Sequence, residues 1–147
     1  MFKVEEDLKI IKVKLLDDNA TLPEKAHIDD AGFDIFTKEG RKLKAGETYL
    51  FSTGVACELP RGYCALLWDR SSLGSKGVHR LAGVIDSSYR GEWKVCLINL
   101  TKKLYEVKAG DKICQAIIQK VPLFDVEQVE ELSNTERADG GFGSTGR

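Results

Sequence analysis

Apolar residues and lysines alternate through Ile11-Lys12-Val13-Lys14-Leu15, the period of two that a half-buried strand requires. Richness in β-branched and aromatic residues extends the same reading to strands over 48–58, 63–68, 93–99, 112–121 and 124–129. No segment shows sustained helical periodicity. Turn formers separate the runs at short intervals: Pro23, Gly40, Lys44-Ala45-Gly46-Glu47, Pro60-Arg61-Gly62, Lys108-Ala109-Gly110-Asp111 and Pro122. Many short strands with frequent turns predict an all-β sandwich or barrel. The two Lys-Ala-Gly-acid segments each precede a strand, so a shared turn solution explains them better than a functional repeat. From Ser133 onward large apolar residues nearly vanish and glycine dominates. Such a segment buries too little to offset its ordering entropy. A core over 1–132 with a mobile arm over 133–147 is therefore expected.

Composition narrows this picture. A chain of 147 residues, 42% of them hydrophobic, supports one domain and one core. Lysine and arginine total 22 against 23 aspartate and glutamate, so no global basic field favours long nucleic acid as a partner. No apolar run has the length of a signal h-region or a membrane span. A soluble intracellular protein, cytoplasmic by default, is expected. Cys57, Cys64, Cys96 and Cys114 lie in apolar strand-like segments without Cys-x-x-Cys spacing, which reads as small buried hydrophobes.

Three polar clusters carry possible chemistry. Arg70-Ser71-Ser72-Leu73-Gly74 offers a guanidinium, two hydroxyls and a short helix start, groups that suit phosphate oxygens; a serine cap beside a surface arginine fits the same residues. Asp86 and Tyr89, in the run from Gly83 to Glu92, fit a carboxylate base and a ring against a sugar face; an Asx-turn on an ordinary hairpin fits them equally. The tail Gly140-Gly141-Phe142-Gly143-Ser144-Thr145-Gly146, with Arg137 upstream, permits close backbone approach and base stacking. Alone, it also reads as a plain glycine-rich tail.

Taken together in order, these clusters resemble the trimeric deoxyuridine triphosphatases. Ala31-Gly32-Phe33-Asp34-Ile35 is similar to that family's first motif, Arg70 to Gly74 to the second, and Gly83 to Gly91 to the third. Gly110-Asp111-Lys112-Ile113-Cys114-Gln115-Ala116-Ile117-Ile118 resembles the fourth, and Arg137 with Gly140 to Gly146 the fifth.

The resemblance implies a jelly-roll-like β-barrel and a homotrimer whose sites are shared between subunits. It implies hydrolysis of dUTP to dUMP and pyrophosphate, which limits uracil in DNA and supplies dUMP for dTMP synthesis. Asp86 would orient and deprotonate the water that attacks the α-phosphorus, and Tyr89 would pack under the deoxyribose. Main-chain groups of Gly83, Val84 and Ile85 would read the uracil edge. Ser71, Ser72, Gly74 and Gln115 would line the phosphates beside Arg70. Arg137 would meet the γ-phosphate, with Phe142 stacking on uracil and Gly143 and Ser144 closing the arm. Mg²⁺ is the implied cofactor, held on phosphates and water with Asp34 contacting it through water.

Asp69 stands where the family commonly has proline, and Arg80 near a position often held by asparagine. A charge at Asp69 is expected to weaken affinity unless Arg70 or Arg61 compensates. The rival readings are a dCTP deaminase on the same fold and a non-catalytic, nucleotide-dependent interaction protein. Tyr89 and the glycine-rich arm oppose the first, and the intact polar set opposes the second. With only His27 and His79 and no Gly-x-Ser-x-Gly, a serine hydrolase has little support.

Overall fold

The computed structural model describes residues 9–141. Within them the chain runs through β1 (Lys12–Leu15), β2 (Phe33–Phe36), β3 (Arg41–Leu43), β4 (Thr48–Glu58), β5 (Tyr63–Trp68), a one-turn helix α1 (Ser71–Gly74), β6 (Val78–Leu81), β7 (Val84–Asp86), β8 (Glu92–Asn99), β9 (Tyr105–Val107) and β10 (Lys112–Lys120). Two four-stranded antiparallel sheets form, ordered β1-β4-β8-β6 and β2-β10-β5-β7, with a β3-β9 ribbon beside them. The all-β expectation holds. The barrel is the looser part of it, because the described strands form three separate sheets and no closed ring of ladders.

Side chains decide which face of each strand goes inward. In β8 the inward series is Trp93, Val95, Leu97 and Asn99, all buried, with the intervening residues more exposed. Trp93, Val95 and Leu97 meet Phe51, Val55 and Cys57 of β4 and Ala65, Leu67, Ile85, Ile113, Cys114 and Ala116 from the facing sheet in one core cluster. The central strands are long, with 11 residues in β4 and nine in β10. The outermost strands β1, β2 and β6 have four residues each and β7 has three.

The two Lys-Ala-Gly-acid segments adopt the same turn. In each, the lysine N–H donates to the acidic side chain at 2.8 Å, Lys44 to Glu47 and Lys108 to Asp111. The acid's own N–H returns to the lysine carbonyl at 3.0 Å. Gly46 and Gly110 supply φ of 73° and 86°, which side-chain-bearing residues adopt reluctantly.

The strand expected over 124–129 does not form. The last strand ends at Lys120, and Leu123, Phe124, Val126, Val129 and Leu132 are exposed. Their composition suits a strand, but no strand among the described residues pairs with that stretch. Among the described residues no helix is long and apolar enough to cross a membrane. Phe142, Gly143 and Ser144 lie outside the described residues.

Candidate functional site

The antiparallel register of β2, β10 and β5 brings the first, second and fourth candidate motifs together. Gln115 faces Asp34 across one ladder and Trp68 across the other. Two residues past Trp68 the chain reaches Arg70, whose Nε donates to Asp34 Oδ1 at 3.0 Å. Lys112 Nζ lies 2.8 Å from Asp34 Oδ2, and that carboxylate holds the lysine above its ordinary value, so it stays protonated at neutral pH. Asp34 thus has a cation on each oxygen. Gln115 Nε2 donates to the Asp69 carbonyl at 2.9 Å, and a Cβ at Gly32 would sit 2.9 Å from Gln115 Oε1. Glycine is therefore needed at that position for the glutamine to lie flat against the strand.

Beside this cluster opens a polar cavity of about 380 Å³, lined by Arg70, Ser72, Lys76, Tyr105, Asp111 and Lys112 among others. Ser71 and Ser72 are exposed on α1, while Leu73 anchors the turn in the core. The Leu73 and Gly74 amides both donate to the Arg70 carbonyl at 2.9 Å, leaving the Ser72 hydroxyl and the guanidinium as side-chain donors at the cavity; Ser71 does not line it. Three cationic side chains and two hydroxyls against one carboxylate in one concavity suit an anion such as a phosphate chain. Sequence reasoning had not singled out Lys112 or Lys76. Lys112 was visible in principle as the charged first residue of a strand that also carries Gln115, but its ion pair joins positions 78 residues apart.

A second cavity, of about 340 Å³, is lined by Leu50, Leu67, Gly83, Val84, Ile85, Asp86, Tyr89, Glu92, Trp93 and Lys94. All five residues singled out in the third motif meet there. Ala82 and Gly83 turn the chain with φ of 59° and 105°, and a Cβ at Gly83 would lie 2.8 Å from Leu67 Cβ. Glycine is thus required twice over, by conformation and by space. β7 is the outer strand of its sheet, so one row of its backbone N–H and C=O groups faces away from β5. Tyr89 is half-exposed, its hydroxyl donating to the Glu92 carbonyl at 3.0 Å and its ring lying over Gly91. The Asp86 carboxylate is exposed and has no hydrogen-bond or ion-pair partner among the described residues.

The two cavities share no lining residue. Asp86 pairs with Cys64 at one end of β5, whereas α1 follows Trp68 at the other, about 13 Å along the strand at the usual rise. Arg137 belongs to neither cavity; it is exposed and its Nε donates to the Gly140 carbonyl at 2.9 Å. A third, apolar cavity between β1 and β2, lined by Ile11, Val13, Phe33, Ile35 and Ile118 among others, contains none of the candidate residues.

A two-sheet β-sandwich with a basic, hydroxyl-bearing cavity at one end of a strand and a carboxylate–aromatic cavity at the other defines a nucleotide-handling protein of all-β class. The chain belongs to the dUTPase family, whose model matches residues 18–146. A deoxyuridine 5'-triphosphate nucleotidohydrolase of Corynebacterium glutamicum is 43% identical over 145 residues, covering 96% of this chain and 97% of that protein. The protein of the same name from Clostridium acetobutylicum is 46% identical over 139 residues, 92% and 96% of the two chains. Among solved structures, the Staphylococcus bacteriophage 80alpha dUTPase with dUpNHpp matches with a TM-score of 0.88 at 31% identity, covering 95% of this chain and 100% of that one. A mutant dUTPase from phage phi11 of S. aureus, whose structure describes coordination of a structural Mg(II) ion, matches with a TM-score of 0.81 at 30% identity, covering 86% and 100%.

Proposed function

We propose that this chain hydrolyses dUTP to dUMP and pyrophosphate. The observation that carries the reading is the cavity in which Asp86, Tyr89 and the turn at Gly83, Val84 and Ile85 converge. The outward backbone row of β7 offers donors and acceptors in fixed alternation, as the uracil edge does. Cytosine reverses two of those groups, and a site built of main-chain partners leaves them unpaired at a cost. Tyr89, seated on Gly91, supplies a flat apolar surface for a deoxyribose.

In the reaction, Asp86 accepts the proton of a water as its oxygen bonds to the α-phosphorus. The bond from that phosphorus to the bridging oxygen breaks, and pyrophosphate leaves. Arg70, Ser71, Ser72, Gly74 and Gln115 hold the phosphate side, with Lys112 beside them, and positioning with charge stabilisation supplies most of the acceleration. Arg137 would meet the γ-phosphate, and Phe142, Gly143 and Ser144 would complete the closing arm.

Mg²⁺ fits this donor set. No group of three or more His, Cys, Asp or Glu that could hold an ion exists among the described residues, which suits a cation carried mainly on the triphosphate. Asp34, with a second lone pair on each oxygen beyond those facing Arg70 and Lys112, would hold a water of its shell. When bound, the ion neutralises charge on the phosphate oxygens.

The same reading makes the protein a homotrimer with shared sites. Separate cavities for the sugar side and the phosphate side support it. So do Leu50, Val84, Leu100 and Leu104, each more than half exposed, and the apolar stretch past Lys120 that leaves its own body. Single exposed leucines need no explanation, but exposed apolar residues in this number suit burial against neighbouring subunits.

Pyrophosphate release from dUTP with Mg²⁺, alongside UTP, dTTP and dCTP, tests the function. Selective turnover of dUTP that Asp86→Asn abolishes is the expected result; ammonia release from dCTP, or no turnover by folded protein, would replace the proposal with one of its rivals.

A further inference from the structure

Asp69 occupies the joint where β5 ends and α1 begins, and three hydrogen bonds converge on it. Its main-chain oxygen accepts from Gln115 Nε2 at 2.9 Å. Its Oδ1 accepts from the Arg80 backbone N–H at 2.7 Å, and its Oδ2 lies 2.5 Å from His79 Nδ1. The carboxylate also covers the end of the serine-bearing turn, since a Cβ on Gly74 would come within 3.3 Å of both Asp69 Cβ and Oδ2. Neither Asp69 nor His79 lines either candidate cavity. The carboxylate is thus turned toward β6, and the expected compensation by Arg70 or Arg61 is not what the geometry shows: Arg70 bonds Asp34 instead, and the Asp69 carboxylate is engaged by His79 and the Arg80 N–H.

We propose that the Asp69–His79 pair is a brace that positions the phosphate-side turn for nucleotide binding. The inference rests on the reading that Arg70, Ser71 and Ser72 hold the phosphates. The brace ties one short turn to β10 through a main-chain oxygen and to β6 through a carboxylate, so the turn is fixed against both sheets. Electrostatic attraction adds little to it, because His79 is 43% and Asp69 26% exposed and contacts so exposed are screened. What it supplies is geometry. A turn held in its binding arrangement has less freedom to lose when substrate arrives. That gain applies equally to bound substrate and transition state, so it enters KM and leaves kcat alone. Asp69 and His79 touch no reacting atom; they are positioning residues acting through Arg70 and the two serines.

Steady-state dUTP hydrolysis by Asp69→Ala, His79→Ala, the double variant and His79→Asn tests this, with thermal melts on each and Ser72→Ala as a control. Each alanine variant should raise KM about fivefold or more, in line with loss of a charge-assisted hydrogen bond, with kcat within about twofold of the parent. The double variant should be no worse than either single one, because both remove the same brace. His79→Asn, whose amide nitrogen can stand in for Nδ1, should keep most of the parent affinity. A KM that falls in Asp69→Ala would overturn the brace and show a charge that repels substrate, as would single effects that multiply in the double variant. Should Asp69→Ala not fold, Asp69→Asn decides: it keeps the acceptor for Arg80 but loses the charge, and a lower KM there rejects the brace. An unchanged KM in Ser72→Ala would instead remove the phosphate-side assignment beneath it.

Discussion

The phosphate-side cluster and the β7 hairpin handle charge in opposite ways. Around Asp34 the carboxylates are engaged: Asp34 meets Arg70 at 3.0 Å and Lys112 at 2.8 Å, and Asp69 is hydrogen-bonded to His79 at 2.5 Å. On the hairpin Asp86 stands exposed with its oxygens unclaimed among the described residues. A group that must hold an anion in place benefits from a fixed geometry, and neighbouring bonds supply it. A group that must take a proton needs a free lone pair. On the proposed function, the chain keeps these two requirements at opposite ends of β5, so neither neutralises the other.

Removing the free carboxylate should have the largest effect. Asp86→Asn is expected to lower kcat by about 10²–10⁴-fold, the usual worth of a general base, while titration with a non-hydrolysable dUTP analogue still shows binding. Near-normal turnover would erase the contrast. Next comes the separation itself. Asp86→Asn and Ser72→Ala proteins, each impaired, should regain activity when unfolded and refolded together if sites draw on two subunits, because some mixed sites then contain both intact halves. A mixture no more active than the average of its components would place each site within one chain. Smaller, and confined to the hairpin, is Gly91→Ala. The new Cβ would collide with the Tyr89 hydroxyl and lie 2.6 Å from Cζ, so the ring must move. Discrimination between dUTP and UTP should fall about tenfold, the order that one steric contact supports, and Gly91→Ala should change nothing further in a Tyr89→Ala background.

The smallest effect is expected from Lys112→Met. With Arg70 still on Asp34, KM should rise less than tenfold for this partly exposed pair. The Asp34 carboxylate raises the lysine above its ordinary value of about 10.5. The pair's contribution to stability is therefore complete below about pH 10.5 and fades only as the pH climbs through the raised value. Melting temperatures of the parent and Lys112→Met should differ by the same amount at pH 6 and pH 9; a difference that shrinks within that window would mean the ion pair is not what the substitution removes.

The long central strands were legible because runs rich in β-branched and aromatic residues stand between clear turn formers: β4 and β5 fall where expected, and β8 and β10 within one residue. Three-residue strands such as β7 and β9 hold too few positions to show any period. The stretch 124–129 fails for another reason, since strand-forming composition says nothing about whether a partner lies in the same chain. At the site, residue types and order pointed to Asp86, Tyr89, Arg70 and the serines. The lateral contacts were hidden: Lys112 reaches Asp34 only through the β2–β10 register, and His79 reaches Asp69 only because β6 returns beside α1.

The unequal lengths of the strands have a bearing on colloidal behaviour. An outer strand exposes unpaired backbone groups that can recruit another chain without specificity, and long flat edges are where fibrils start. Here the outermost strands of both four-stranded sheets are three or four residues long, and β1 turns Lys12 and Lys14 outward in alternation with its apolar residues. A stray strand meeting such an edge finds at most two or three ladder bonds before the register runs out, with lysine charge in its way. The sandwich is thereby protected from indiscriminate growth at its rims, and association is left to surfaces where side chains, and not bare backbone, select the neighbour.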